Sequence, residues 1–267
     1  MVDPLIASRA VHFASSLIVG GVALFSALIL QSADAASLAE RRQQQVMLAA
    51  LVLAVLSGAA WLVFLAARIA HSSAAAVLAD GTAGSVLTDT QFGRVWLGRL
   101  LITVALFGLA FVRLVASARG FFFTSLQAAL AALFVGTLAW SGHAAATMGH
   151  RGFVHLGGDV FHLIASAAWV GGMLPLLVFI GPRMFGSDPS LFDCFQKLKR
   201  FSTLAAWSVA VLAASGALNT WRHQICCLES HFLGYVVTPL LGIKAPKAYR
   251  CTASLSLPRN GKAVTSQ

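Results

Sequence analysis

The sequence predicts an all-α fold, a polytopic transmembrane helix bundle with six clear spans. Three observations predict it. Hydrophobic residues make up 58% of the 267-residue chain and charged residues only 10%, where soluble domains carry about 25% charged residues. Mean hydropathy is +0.80. The apolar residues fall in repeated runs, and about 20 consecutive helical residues suffice to cross a bilayer core. Length therefore sets a number of spans rather than a number of soluble domains.

The first span is Leu5 to Leu30, apolar apart from Arg9, His12, four serines and two glycines. Its length and the lack of a cleavage site favour a retained helix over a signal peptide. A polar stretch from Ser32 to Gln45 carries Arg41 and Arg42, and Val46 to Ile69 is the second span. His71 to Gly93 reads as a longer loop rich in small and polar residues. The third span is Val95 to Val115, with Arg94 and Arg99 near its entry as snorkelling anchors. Arg113 and Arg119 bracket a short turn, so the fourth span, Phe121 to Trp140, forms an antiparallel hairpin with the third. Leu156 to Ile180 is the fifth span and Phe201 to Trp221 the sixth.

Lysine and arginine concentrate on cytoplasmic loops. The loops after spans one, three and five hold Arg41, Arg42, Arg119, Arg183, Lys197, Lys199 and Arg200, whereas the loop after span four holds Arg151 alone. The expected topology puts those odd loops in the cytoplasm and the N-terminus in the periplasm. All eight histidines then fall on the outer side.

Residues 1–221 form the expected bundle, and residues 222–267 a divergent tail. Phe232 to Ile243 is the tail's one apolar run, and twelve residues are too few to span. Pro239, Pro246 and Pro258 interrupt any helix there. Of four cysteines, Cys226, Cys227 and Cys251 lie in this tail, and no CxxC pair signals a redox or zinc motif. The net charge of +10 lacks the aromatic-interleaved basic cluster of a nucleic-acid binder, so no nucleic acid partner is expected. No nucleophile elbow, P-loop, dinucleotide fingerprint or HExxH is present, and the expectation is a protein that is not an enzyme.

Metal-binding side chains cluster from Trp140 to Gly172. This stretch holds His143, His150, His155 and His162, with Met148 and Asp159. Helical spacings of four, seven, eleven and fourteen place His155, Asp159, His162, Ser166 and Trp169 on one stripe of span five. Ionisable groups at membrane depth are costly and mark pathways or sites. A carboxylate three residues from a histidine can orient its ring, the role expected of Asp159. Imidazole suits copper and zinc, and thioether suits cuprous copper. His12, His143 and His162 sit in or at apolar segments and are candidate bundle contacts. His155, His150 and Met148 are candidates for an entry site, although His150 and Met148 taken singly also suit a solvated turn. Gly157, Gly158, Gly171 and Gly172 are read as close-packing positions.

These residues carry a resemblance. Arg9-x-x-His12, TQFGRVWLGRL at 90–100, Trp140-Ser-Gly-His143-Ala, His162-Leu-x-Ala-x-x-x-Trp169-Val-Gly-Gly172 and RFSTLAAWSVAVLAASGALNTW at 200–221 resemble the copper resistance protein D (CopD) family. The resemblance covers about the first 221 residues. It implies a bacterial inner-membrane protein of roughly eight helices, tied to copper uptake or homeostasis and working with a periplasmic copper-binding protein of the CopC type. His12, His143 and His162 carry over by position as candidate contacts to copper, as Cu+ or Cu2+. After Trp221 the chain departs from the family's seventh and eighth spans, for which a frameshift or truncation is the expected explanation.

The leading expectation is thus a membrane protein that receives copper at the periplasmic face and moves it across. A membrane b-type cytochrome with two axial histidines, such as His143 and His162, is an alternative. A scaffold with merely interfacial histidines is another.

Overall fold

The computed structural model describes residues 3–30, 38–115, 120–141, 150–184 and 191–232. These residues are almost wholly helical and contain no strand. Six helices among them are long and apolar enough to cross a membrane: Pro4–Leu28, Ala39–Ile69, Gln91–Val115, Phe121–Ser141, Phe153–Gly181 and Phe192–Leu218. The chain divides into two compact units, Met1–Ala217 and Leu218–Gln267. In the second, the structure describes only the helical residues as far as Phe232. The expectations for the rest of the tail lie outside the described residues.

Helix α1 (Pro4–Leu28) starts where Asp3 caps it. The Asp3 carboxylate accepts from the Leu5 N–H at 2.9 Å, and Pro4 occupies the first turn, where no amide hydrogen is needed. The Asp3 carboxylate also pairs with Arg68 at the far end of α2 (Leu38–Ile69). α1 is central, packing on α2, on α6 (Phe121–Gly136) and on the fifth span. Small residues allow that closeness. Gly21 meets the backbone of Gly171 and Gly172, and Gly171 meets the Leu17 carbonyl, so a Cβ at either position has no room. Gly157, expected to pack closely, has open space around its Cβ position.

Three elements differ from the sequence reading. The helix of the sixth span begins at Leu191 and not at Phe201, so Lys197, Lys199 and Arg200 lie within it rather than in a loop. The second span starts well before Val46, because the polar residues from Leu38 onward continue the helix and turn Glu40, Gln43 and Gln44 inward. The expected loop after His71 holds two short helices, α3 (Ala74–Ala79) and α4 (Thr82–Asp89). The Ser73 side chain caps α3 by accepting from the Ala76 N–H, and Gly81 supplies the left-handed residue before α4, at φ 79°. Val77, Ala83 and Val86 then bury against Leu62 and Ala66 of α2.

Helix α5 (Gln91–Val115) follows, and α6 tightens at its end into a 3-10 turn, Thr137–Ser141. The fifth span is composite: α7 (His150–Ser166), a π-helical turn (Ala167–Gly171) and α8 (Gly172–Met184). Pro175 explains the turn's position. Its ring nitrogen has no hydrogen to give the Gly171 carbonyl, four residues back, and its ring crowds that carbonyl; the wider turn just before relieves both. Helix α9 (Leu191–Phe232) holds the sixth span.

The interior of Met1–Ala217 is layered. Val19, Val22, Ala23, Met47, Leu51, Leu106, Ala110 and Ala131 form an apolar middle. A buried polar layer flanks it at each end, one around Arg99 and His12, the other around Arg113 and Glu40.

Candidate functional site

The first polar layer is built by four helices. The Arg99 guanidinium, on α5, is 5% exposed. It donates to the Phe134 carbonyl and to Thr137 Oγ1, both at 2.6 Å, and to Ser16 Oγ at 3.1 Å. Its Nη2 lies 3.1 Å from His12 Nε2, and His12 Nδ1 lies 2.8 Å from the Ala54 carbonyl. Since a guanidinium only donates and a carbonyl only accepts, His12 is the neutral tautomer protonated at Nδ1. Gly58 gives the ring its space, because a Cβ there would stand 3.1 Å from it and 2.8 Å from Trp96 Nε1. Trp61 packs against the ring at 5.5 Å between centroids. Both His12 ring nitrogens are thus engaged, and the cation at Nε2 opposes a metal there while Arg99 holds this position.

This corrects the reading of Arg99 as a snorkelling anchor. Its head group does not rise to the interface; it turns into the bundle, because the end of α6 offers a carbonyl and a hydroxyl within reach. Arg94, one turn earlier, is exposed as expected.

The histidine stripe lies on α7. His155, Asp159 and His162 are partly buried. His162 Nδ1 meets Ser215 Oγ of α9 at 2.9 Å, and Ser166 Oγ donates to the His162 carbonyl at 2.8 Å. A ring fixed through Nδ1 presents Nε2, the arrangement of a metal ligand oriented from behind. His150 begins α7, with its side chain outside the described set, while His143 and Met148 lie wholly outside the described residues. Among the described residues, no three His, Cys, Asp or Glu side chains converge into a metal-binding group.

The second polar layer was not anticipated from sequence. Arg113 pairs with Glu40 at 2.6 Å and also donates to Gln127 Oε1. Gln127 donates from Nε2 to Gln44 Oε1 at 3.0 Å and approaches Met47 Sδ at 3.1 Å. Gln43 accepts from Ser26 at 3.1 Å and donates to the Pro175 carbonyl at 3.4 Å. The signal was present: Arg99, Thr103, Leu106, Ala110 and Arg113 follow the same four-then-three spacing that picked out the α7 stripe, and all five are buried.

Comparison with known proteins fixes the lineage. Residues 1–153 match the family described as copper resistance protein D-like, N-terminal domain. Over 221 residues the chain is 30% identical to copper resistance protein D of Pseudomonas syringae pv. tomato, covering 82% of this chain and 70% of that protein. The chain belongs to the copper resistance protein D family. It is also 30% identical over 229 residues to inner membrane protein YebZ of Escherichia coli (strain K12), covering 80% of this chain and 70% of that protein. No solved structure matches. As a CopD-family chain with six membrane-length helices among its described residues, it is a multi-pass membrane protein with a general role in copper resistance.

Proposed function

We propose that this CopD-family protein receives copper at the periplasmic end of its bundle and moves it across the inner membrane. Its N-terminus lies in the periplasm and a CopC-type protein is the donor. The observation that carries this reading is the His162 ring, held by Ser215 through Nδ1 so that Nε2 is presented. His155 and Asp159 stand on the same stripe of α7, and His143, His150 and Met148 precede it in the chain. His12 joins this route only after Arg99 leaves its Nε2. The exposed Arg41, Arg42, Lys199 and Arg200, near the starts of α2 and α9, support the orientation. The role is binding and transfer rather than catalysis.

Metal content of detergent-purified protein after cuprous loading tests the reading. Wild type is compared with H162A and with H143A/H162A. Stoichiometric copper in wild type that falls in H162A and vanishes in the double variant supports it. Equal copper in all three places the metal elsewhere and removes the α7 stripe from the reading.

A further inference from the structure

We propose that the pocket beside Arg99 and His12 is a binding site for a small monovalent anion of chloride size. The argument begins with charge. Arg99 is buried inside a membrane-spanning helix and stays ionised. Its partners, Phe134 O, Thr137, Ser16 and His12, are all neutral. No carboxylate reaches it among the described residues, and residues 142–149, which follow the nearby Ser141, contain no Asp or Glu. The Phe134 ring, 4.2 Å from the guanidinium carbon, adds only a weak aromatic contact. A buried ion without a counter-charge carries a desolvation penalty, which neutral hydrogen bonds offset only in part.

Geometry gives the counter-charge a place. Arg99 Nε is buried without a hydrogen-bond partner. A small cavity of about 10 Å³ is lined by Arg99 together with His12, Trp61, Trp96, Thr137 and Trp140, among others. That suits one particle near the size of water. The lining supplies a guanidinium, the Thr137 hydroxyl and aromatic side chains, and no acid. Chloride or bromide fits this chemistry, and a larger divalent oxyanion such as sulfate exceeds the space.

The test uses full-length, metal-free protein in detergent, in sodium gluconate at constant ionic strength, so its outcome is separate from that of the copper titration. Bromide is titrated while tryptophan fluorescence is read, since Trp61, Trp96 and Trp140 surround the cavity. The expected result is a saturable quenching component that chloride reverses and sulfate does not, together with a halide-dependent rise in the unfolding midpoint. R99Q loses the saturable component and R99K retains it with a weaker midpoint. Purely linear quenching in wild type, or quenching that sulfate reverses as well as chloride, overturns the site. If R99Q does not fold, the wild-type competition alone decides. A saturable component that persists unchanged in a folded R99Q also overturns the assignment.

Discussion

Arg113 Nη2 donates to Glu40 Oε1 at 2.6 Å, and both side chains are almost fully buried. The contact ties the start of α2 to the end of α5, and Gln127 brings α6 into the same network. Removing one partner takes the buried counter-charge from the other, which costs about 3–5 kcal/mol. E40A and R113A should each lower the unfolding midpoint in detergent strongly. An E40L/R113M double variant should recover much of the loss, because an apolar pair leaves no orphan charge. Additive losses in the double variant would mean the pair is not coupled.

Gly21 and Gly171 should tolerate no side chain. A Cβ on either meets opposing backbone, which cannot swing aside as a side-chain tip does. G21A and G171A should destabilise by about 1–3 kcal/mol, the usual range for overpacking. G157A serves as the control, since nothing lies within 4 Å of its Cβ position. It should be neutral or stabilising through helix propensity. Thermal unfolding of the three variants side by side checks this.

Ser215 should act on copper through His162. S215A removes the oxygen that holds Nδ1, and loss of such an orienting partner typically weakens metal affinity about 10–100-fold. Helicity by circular dichroism should stay unchanged. Copper affinity of S215A equal to wild type would show that His162 needs no orientation or is not a ligand.

Asp3 provides a pH signature at the start of α1. The Leu5 N–H first, and Arg68 in addition, hold its carboxyl below the ordinary value of 3.8. A depressed carboxylate contributes stability that is present above its unfolded pKa and is lost as pH falls through the folded value. The midpoint difference between wild type and D3N should therefore be constant at neutral pH and shrink below about pH 4. A difference that stays constant to lower pH would remove the charge from the cap's contribution.

The spans were legible in the sequence because bilayer thickness imposes run length, and composition reports run length directly. Arg99 shows where that legibility ends. Position near a helix entry suits a snorkelling side chain as well as an inward one, and the choice rests on Phe134 and Thr137, which arrive from another helix. Polarity suggests a loop at Glu40, Gln43 and Gln44, yet the helix begins before them and their partners lie on α1, α5, α6 and α8. The α7 stripe was legible because its spacing is internal to one helix. The Ser215 contact was not, since 53 residues separate it from His162.

The π turn at Ala167–Gly171 sets the phase of the fifth span. A π turn of this kind arises where an α-helix accommodates one extra residue, and one residue is about 100° of helical rotation. Above the turn, α7 aims His162 at Ser215; below it, α8 carries Phe179 into a cluster with Phe25 and Phe201. With the turn in place, both alignments hold at once. Deleting a single residue there would leave the hydropathy profile almost unchanged, yet one half of the span would be turned away from its neighbours, like a key cut correctly but rotated in the lock.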